Sequence, residues 1–140
     1  MSGRDDHYSW RVSGGSSVII GIGVDLCSVL RMERAVRSER FVQRVFAADE
    51  IVYALGKARP ARHFAGCFAA REAFSKASGI PMYTLAFGGG MWLERTGSAP
   101  LVRVNDSIRA LMPGKGTERI LLSLSHDGDY AVAVVILESA

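Results

Sequence analysis

From Ala61 to Ser78 the chain reads Ala-Arg-His-Phe-Ala-Gly-Cys-Phe-Ala-Ala-Arg-Glu-Ala-Phe-Ser-Lys-Ala-Ser, and no other stretch restricts the fold as much. It predicts a helix over 61–78, with Pro60 suited to its start and Gly79 and Pro81 to its end. On a helical wheel Glu72 and Lys76 stand about 40° apart, one turn from each other. Ala65 and Ala69 share their face, while Phe64, Cys67 and Phe74 lie further round. A surface helix would usually surround such a pair with Lys, Glu or Gln. Alanines instead leave room for another group to come close.

The remaining elements follow from periodicity. Val18 to Val24 reads as a buried strand, because β-branched residues and glycines fill it without a charge. Within it, Gly21-Ile22-Gly23-Val24-Asp25-Leu26 ends the apolar run in a lone carboxylate. After Asp25, Val29, Met32 and Val36 repeat at helical spacing among Arg31, Glu33, Arg34 and Arg37, so Asp25 taken alone reads as a helix N-cap. Phe41, Val45 and Phe46 suggest a short continuation, and Asp49 and Glu50 favour the positive end of a helix over about 48–58. Beyond the 61–78 helix, Gly88-Gly89-Gly90 marks a turn. Met91–Glu94 and Leu101–Val104 read as strands around Gly97-Ser98-Ala99-Pro100. Asn105 caps a short helix to about Met112, closed by Pro113-Gly114. Two strongly apolar strands, Ile120–Ser125 and Tyr130–Leu137, join through His126-Asp127-Gly128-Asp129. A strand, several helices and then mostly strands make an α+β domain over 18–140, preceded by a polar, Gly/Ser-rich extension over 1–17.

At 140 residues the chain has room for one real core and not for two. Its two cysteines, Cys27 and Cys67, lack zinc-site spacing and are too few for a disulfide framework, which predicts reduced thiols in the cytoplasm. No apolar stretch reaches the length of a membrane span, and the N-terminus lacks the apolar core of a signal peptide. A net charge of +3 suits an acidic protein partner, a phosphorylated small molecule or a nucleic acid. Basic residues cluster around 31–44 and 57–71, but without a Lys/Arg run interleaved with aromatics, so neither nucleic acid nor membrane is the expected partner.

Each chemical group has a plain structural reading when taken singly. Glu72 and Lys76 form an i,i+4 pair of a kind that gives a few tenths of a kcal/mol. His126 at a strand end can hydrogen-bond a neighbouring loop. Their combination is more telling, because a carboxylate at a strand end facing a Glu–Lys helix face can hold Mg²⁺ against a diphosphate. Mg²⁺ takes oxygen ligands and needs only one or two carboxylates beside phosphate oxygens and water.

Three ordered stretches carry a family resemblance: Gly21 to Leu26 followed by Arg31, Phe68 to Ala77, and Leu122-Ser123-Leu124-Ser125-His126 followed by Tyr130-Ala131-Val132-Ala133. Across most of 18–137 the chain resembles the holo-acyl-carrier-protein synthases, the small trimeric class of 4′-phosphopantetheinyl transferases. The resemblance implies that family's α+β fold, a mainly antiparallel sheet packed with a long central helix. It implies transfer of the phosphopantetheine arm of coenzyme A to a serine of an apo acyl carrier protein, with release of adenosine 3′,5′-bisphosphate. Asp25 and Glu72 would ligate Mg²⁺, with Asp25, Glu72, Lys76 and His126 forming the catalytic set. Lys76, Arg71, Ser78 and Gly79 would lie on the coenzyme A side, and Arg31 with Arg34 would dock the acidic carrier. A homotrimer with sites between protomers is implied in the same way.

The family commonly has Lys where this chain has Arg71, often Arg where it has Cys67, and a longer loop than Ser78-Gly79-Ile80. These departures predict altered coenzyme A affinity or carrier choice. Two other readings are a non-catalytic carrier-protein or coenzyme A binding module derived from the same fold, and a small basic nucleic-acid-binding domain.

Overall fold

The computed structural model describes residues 17–139, apart from 88, 96, 98, 114–116 and 118. The extension expected over 1–17 therefore lies outside the described residues except for Ser17, as do Gly88, Ser98 and Gly114 of the expected turns. The elements run β1 (Val18–Ser28), α1 (Val29–Ala35), α2 (Glu39–Val45), α3 (Ala48–Leu55), α4 (Pro60–Ser78), α5 (Met82–Phe87), β2 (Met91–Arg95), β3 (Pro100–Val104), α6 (Asp106–Leu111), β4 (Arg119–Asp127) and β5 (Tyr130–Ser139).

Local chemistry sets most boundaries. Ser28 and Ser38 cap α1 and α2, their side chains accepting from the backbone N–H of Arg31 and Phe41, each at 3.2 Å. Asn105 caps α6 by accepting from Ile108 N–H at 2.9 Å. Pro60 opens α4, and Gly79, at φ 78°, closes it in the left-handed conformation that costs glycine least. Several details depart from the sequence expectation: β1, expected to be buried, leaves Val18, Ile19, Ile22 and Val24 exposed. β1 continues three residues past Asp25 because β5 pairs with it as far as Ser28, opposite Tyr130, so Ser28 takes the capping role assigned to Asp25. Met82–Phe87, not anticipated as a helix, forms α5, which buries Leu85 and Ala86.

β1, β5 and β4 form an antiparallel sheet in that order, with β5 at its centre, and β2–β3 is a separate hairpin. Alternate residues of β5, namely Ala131, Ala133, Val135 and Leu137, are buried. α4 packs against this sheet face, burying Phe64 and Phe74 in the shared core. Such side chains each contribute about 1.5–3 kcal/mol when fully buried. The glycines of β1 make the closest approach. A Cβ on Gly21 would lie 2.1 Å from the Ala77 carbonyl oxygen, and one on Gly23 would lie 1.9 Å from that of Ala73. Glycine on the strand and alanine on the helix let two backbones meet almost directly.

The opposite sheet face is left apolar and open. Ile22, Val24 and Leu26 are 65%, 54% and 61% exposed. They sit opposite Ile136, Val134 and Val132 in register, and these in turn face Leu121, Ser123 and Ser125 of β4.

Candidate active site

The glycine contact delivers the end of β1 to the exposed flank of α4. Lys76 Nζ donates to Asp25 Oδ1 at 3.1 Å and to the Val24 carbonyl oxygen at 3.1 Å. The Asp25 side chain is only 15% exposed and that of Lys76 56%, so a fixed carboxylate meets a largely solvated ammonium. Glu72, one turn before Lys76, belongs to the same cluster. Burial raises its carboxyl above the ordinary glutamate value, the Asp25 charge raises it further, and Lys76 acts in the opposite direction. The Cys27 thiol is pushed up to about 11 by burial and then by Asp25 and Glu72, which marks the negative character of this pocket. It is therefore a poor nucleophile at neutral pH.

Among the described residues no three His, Cys, Asp or Glu side chains gather as a ready metal cage. Two hard carboxylates with open solvent beside them do not suit a closed tetrahedral site. They fit Mg²⁺, which keeps positions for water and phosphate. A cation there would also relieve the repulsion between Asp25 and Glu72.

The other expected residues are placed less uniformly. Arg31 and Arg34 lie exposed on α1, with Arg37, Arg40 and the 48% exposed Leu30 nearby in the chain. Gly79 and Ser78 lie at the α4 C-terminus. The Ser78 hydroxyl donates to the Phe74 carbonyl oxygen at 2.7 Å and accepts from Ile80 N–H at 3.1 Å, so it is committed to closing the helix. His126 is exposed on β4, opposite Ala131, which pairs on its other side with Cys27. Two strand spacings, about 10 Å in all, separate it from β1. Within one chain, then, His126 does not join Asp25, Glu72 and Lys76.

Instead His126 belongs to a cationic group at the far edge of the sheet. Burial lowers the His63 imidazole below its usual value, and Arg95, Lys57, His126 and Arg62 lower it further. His63 lines a cleft of about 320 Å³ with Asp49, Glu50, Tyr53, Cys67, Trp92 and Arg95. The Arg95 guanidinium and the Lys57 ammonium lie 4.3 Å and 4.6 Å from the centre of the Tyr53 ring.

Arg71 corrects the sequence reading. Expected on the coenzyme A side, its side chain is 1% exposed and faces the interior. The cause is a buried partner, Glu50, whose carboxylate accepts from both Arg71 Nη1 and Nη2. Arg71 also donates to the carbonyl oxygens of Cys67 and Met91 at 3.2 and 3.1 Å. Glu50 further accepts from the backbone N–H groups of Ala47 and Leu93, at 2.7 and 3.1 Å. Sequence reasoning missed this pair although a signal existed. Position 71 falls on the same apolar stripe as Phe64, Cys67 and Phe74, where an arginine needs a buried acid.

A sequence profile of the 4′-phosphopantetheinyl transferase superfamily matches residues 21–135. The holo-[acyl-carrier-protein] synthase of Geobacter sulfurreducens is 36% identical over 128 residues, covering 86% of this chain and 98% of its own. That of Geotalea daltonii is 39% identical over 129 residues, covering 86% and 99%. Among solved structures, the synthase of Neisseria meningitidis superposes with a TM-score of 0.77 at 26% identity, over 87% of this chain and 100% of its own. The Bacillus anthracis synthase in complex with CoA (3′,5′-ADP) superposes with a TM-score of 0.69 at 30% identity, over 87% and 98%.

Proposed function

The chain belongs to the 4′-phosphopantetheinyl transferase superfamily, among its holo-acyl-carrier-protein synthases, and we propose that Asp25, Glu72 and Lys76 form its reaction centre. The reaction moves the phosphopantetheine arm of coenzyme A to an apo acyl carrier protein. The serine hydroxyl gives up its proton to solvent water as its oxygen bonds to the β-phosphorus, the bond from that phosphorus to the bridging oxygen breaks, and adenosine 3′,5′-bisphosphate leaves with the electron pair. Such a step needs little covalent help from the protein. It needs alignment and neutralisation of charge on the phosphoryl oxygens.

The observation that carries this assignment is the cluster itself: a nearly buried Asp25, a Glu72 with a raised carboxyl, and a solvated Lys76 ammonium held at 3.1 Å. Asp25 and Glu72 are the Mg²⁺ ligands in this reading, and the ion would polarise the diphosphate. Lys76 is the charge-stabilising group rather than the base, because it is ion-paired to Asp25. Incubation with coenzyme A, Mg²⁺ and apo carrier should add one phosphopantetheine mass to the carrier serine, and chelation should stop it. Coenzyme A binding without any mass gain would favour the non-catalytic binding module.

We assign carrier docking to the exposed Arg31 and Arg34 on α1. Carrier proteins of this class are acidic, and complementary charge steers encounter and fixes register. Arg31→Glu is expected to weaken carrier binding at least tenfold and flatten its salt dependence, while coenzyme A binding holds. Equal losses for both ligands would remove the docking role.

A homotrimer suits the open apolar sheet face, whose Ile22, Val24 and Leu26 are too exposed and contiguous for an isolated chain. The two charged regions lie at opposite edges of the sheet, Asp25 on β1 and His126 on β4. A closed ring of copies would set one edge beside the next copy's other edge, and His126 and the cationic cleft would then serve a neighbouring Asp25–Glu72 pair. Sedimentation should report three chains, and a dilute monomer that retains full activity would sink this arrangement. Among the described residues no helix is long and apolar enough to cross a membrane. The free thiols of Cys27 and Cys67 suit the cytoplasm, where we place the protein.

A further inference from the structure

We propose that Arg71, with Glu50, is a positioning residue that sets the rotation of α4 and thereby aims Glu72 at the reacting phosphate; this rests on the assignment of Glu72 above. On a helix, residues 71 and 73 point about 100° to either side of residue 72. Both flanks are anchored here, by different means. On one flank, Gly23 presses against the Ala73 carbonyl so closely that a Cβ would overlap it. On the other, Arg71 is bonded to Glu50 of α3 and to the Met91 carbonyl of β2, while Glu50 accepts from Leu93 of the same strand. The Phe46 ring, 5.5 Å from the guanidinium carbon, closes the remaining side. Glu72 lies between these two anchors.

Position matters at this scale. A helix turned by about 10° moves a side-chain tip at a radius of about 6 Å by roughly 1 Å. A misplacement of that size in a reaction centre can cost about 10²-fold in rate. The glycine contact limits how near α4 comes to β1, and the apolar packing of α4 on β5 and β4 is non-directional, so neither holds the helix's rotation to within a few degrees. The forked Arg71–Glu50 bond, tied into both α3 and β2, removes that freedom.

Arg71→Met, which leaves Glu50 without its forked partner, is expected to lose about tenfold or more in kcat, with KM for coenzyme A within about twofold of wild type. Crystals of the variant should show the Glu72 carboxylate displaced by about 1 Å relative to Asp25. An unmoved Glu72, or an unchanged kcat, overturns the proposal. A second variant, Glu50→Gln with Arg71→Met, replaces the ion pair by groups of similar volume. Such exchanges often preserve or raise stability. It should recover thermal stability while kcat stays depressed; recovery of both would reduce the pair to a stabilising role and overturn the inference. The displacement is read in crystals whether or not the wild-type protein transfers phosphopantetheine, so a failed positioning role and a failed reaction assignment are told apart.

Discussion

Glu72→Gln is expected to lower kcat for phosphopantetheine transfer by about 10²- to 10³-fold, the range seen when one group stabilising transition-state charge is removed. The amide preserves size and hydrogen-bonding reach but not the negative charge that a hard cation requires. Asp25→Ala should lose more, because it also frees the Lys76 ammonium. The same Glu72 variant carries a stability signature of opposite sign. Burial and Asp25 hold the Glu72 carboxyl above its ordinary value in the native state. A raised native value means that the folded protein binds this proton more tightly than the unfolded chain. The benefit is complete below the ordinary glutamate range and is lost as pH rises through the native value. At neutral pH in chelator, Glu72→Gln should therefore melt higher than wild type, and the difference should vanish in mild acid. Added Mg²⁺ should raise the wild-type Tm and leave the variant nearly unmoved. A variant that transfers at the wild-type rate would end the metal-ligand assignment.

Gly23→Ala is expected to destabilise the fold by about 3 kcal/mol or more, at the upper end of overpacking penalties. For a chain of this length that is on the order of 10 °C in Tm. The new methyl would stand 1.9 Å from the Ala73 carbonyl oxygen and 2.9 Å from the Ala77 nitrogen, both backbone atoms that no rotamer change can move. Relief requires β1 and α4 to separate, which also draws Asp25 away from Glu72 and Lys76. Gly66→Ala is the control on the same helix. Its methyl would meet nothing nearer than Leu124 Cδ1 at 3.9 Å, and alanine is the better helix former. That change should be neutral or stabilising. If the two substitutions cost the same, the close backbone contact is not what holds the strand to the helix.

Much of this was legible in the chain because its signals are local. Proline and glycine marked α4 to within a residue at its start, and two strongly apolar runs marked β4 and β5. The small residues of α4 do admit a close neighbour, the glycine face of β1, but the contact falls at Ala73 and Ala77 and not at Ala65 and Ala69. Non-local causes were not readable. The length of β1 is set by its pairing with β5, more than a hundred residues away, so the capping role given to Asp25 passed to Ser28. Arg71 was read by its charge and its neighbour Glu72, whereas its environment is decided by Glu50 on another helix. His126 followed the motif order, but strand order separates it from Asp25 within one chain.

The pairing of β1 with β5 also governs when the molecule can acquire its chemistry. A ribosome delivers Asp25 early and Glu72 midway, yet the strand that completes the sheet beside Asp25 emerges only with residues 130–139. Until then β1 has an unpaired apolar edge, the kind of edge open to pairing with another chain.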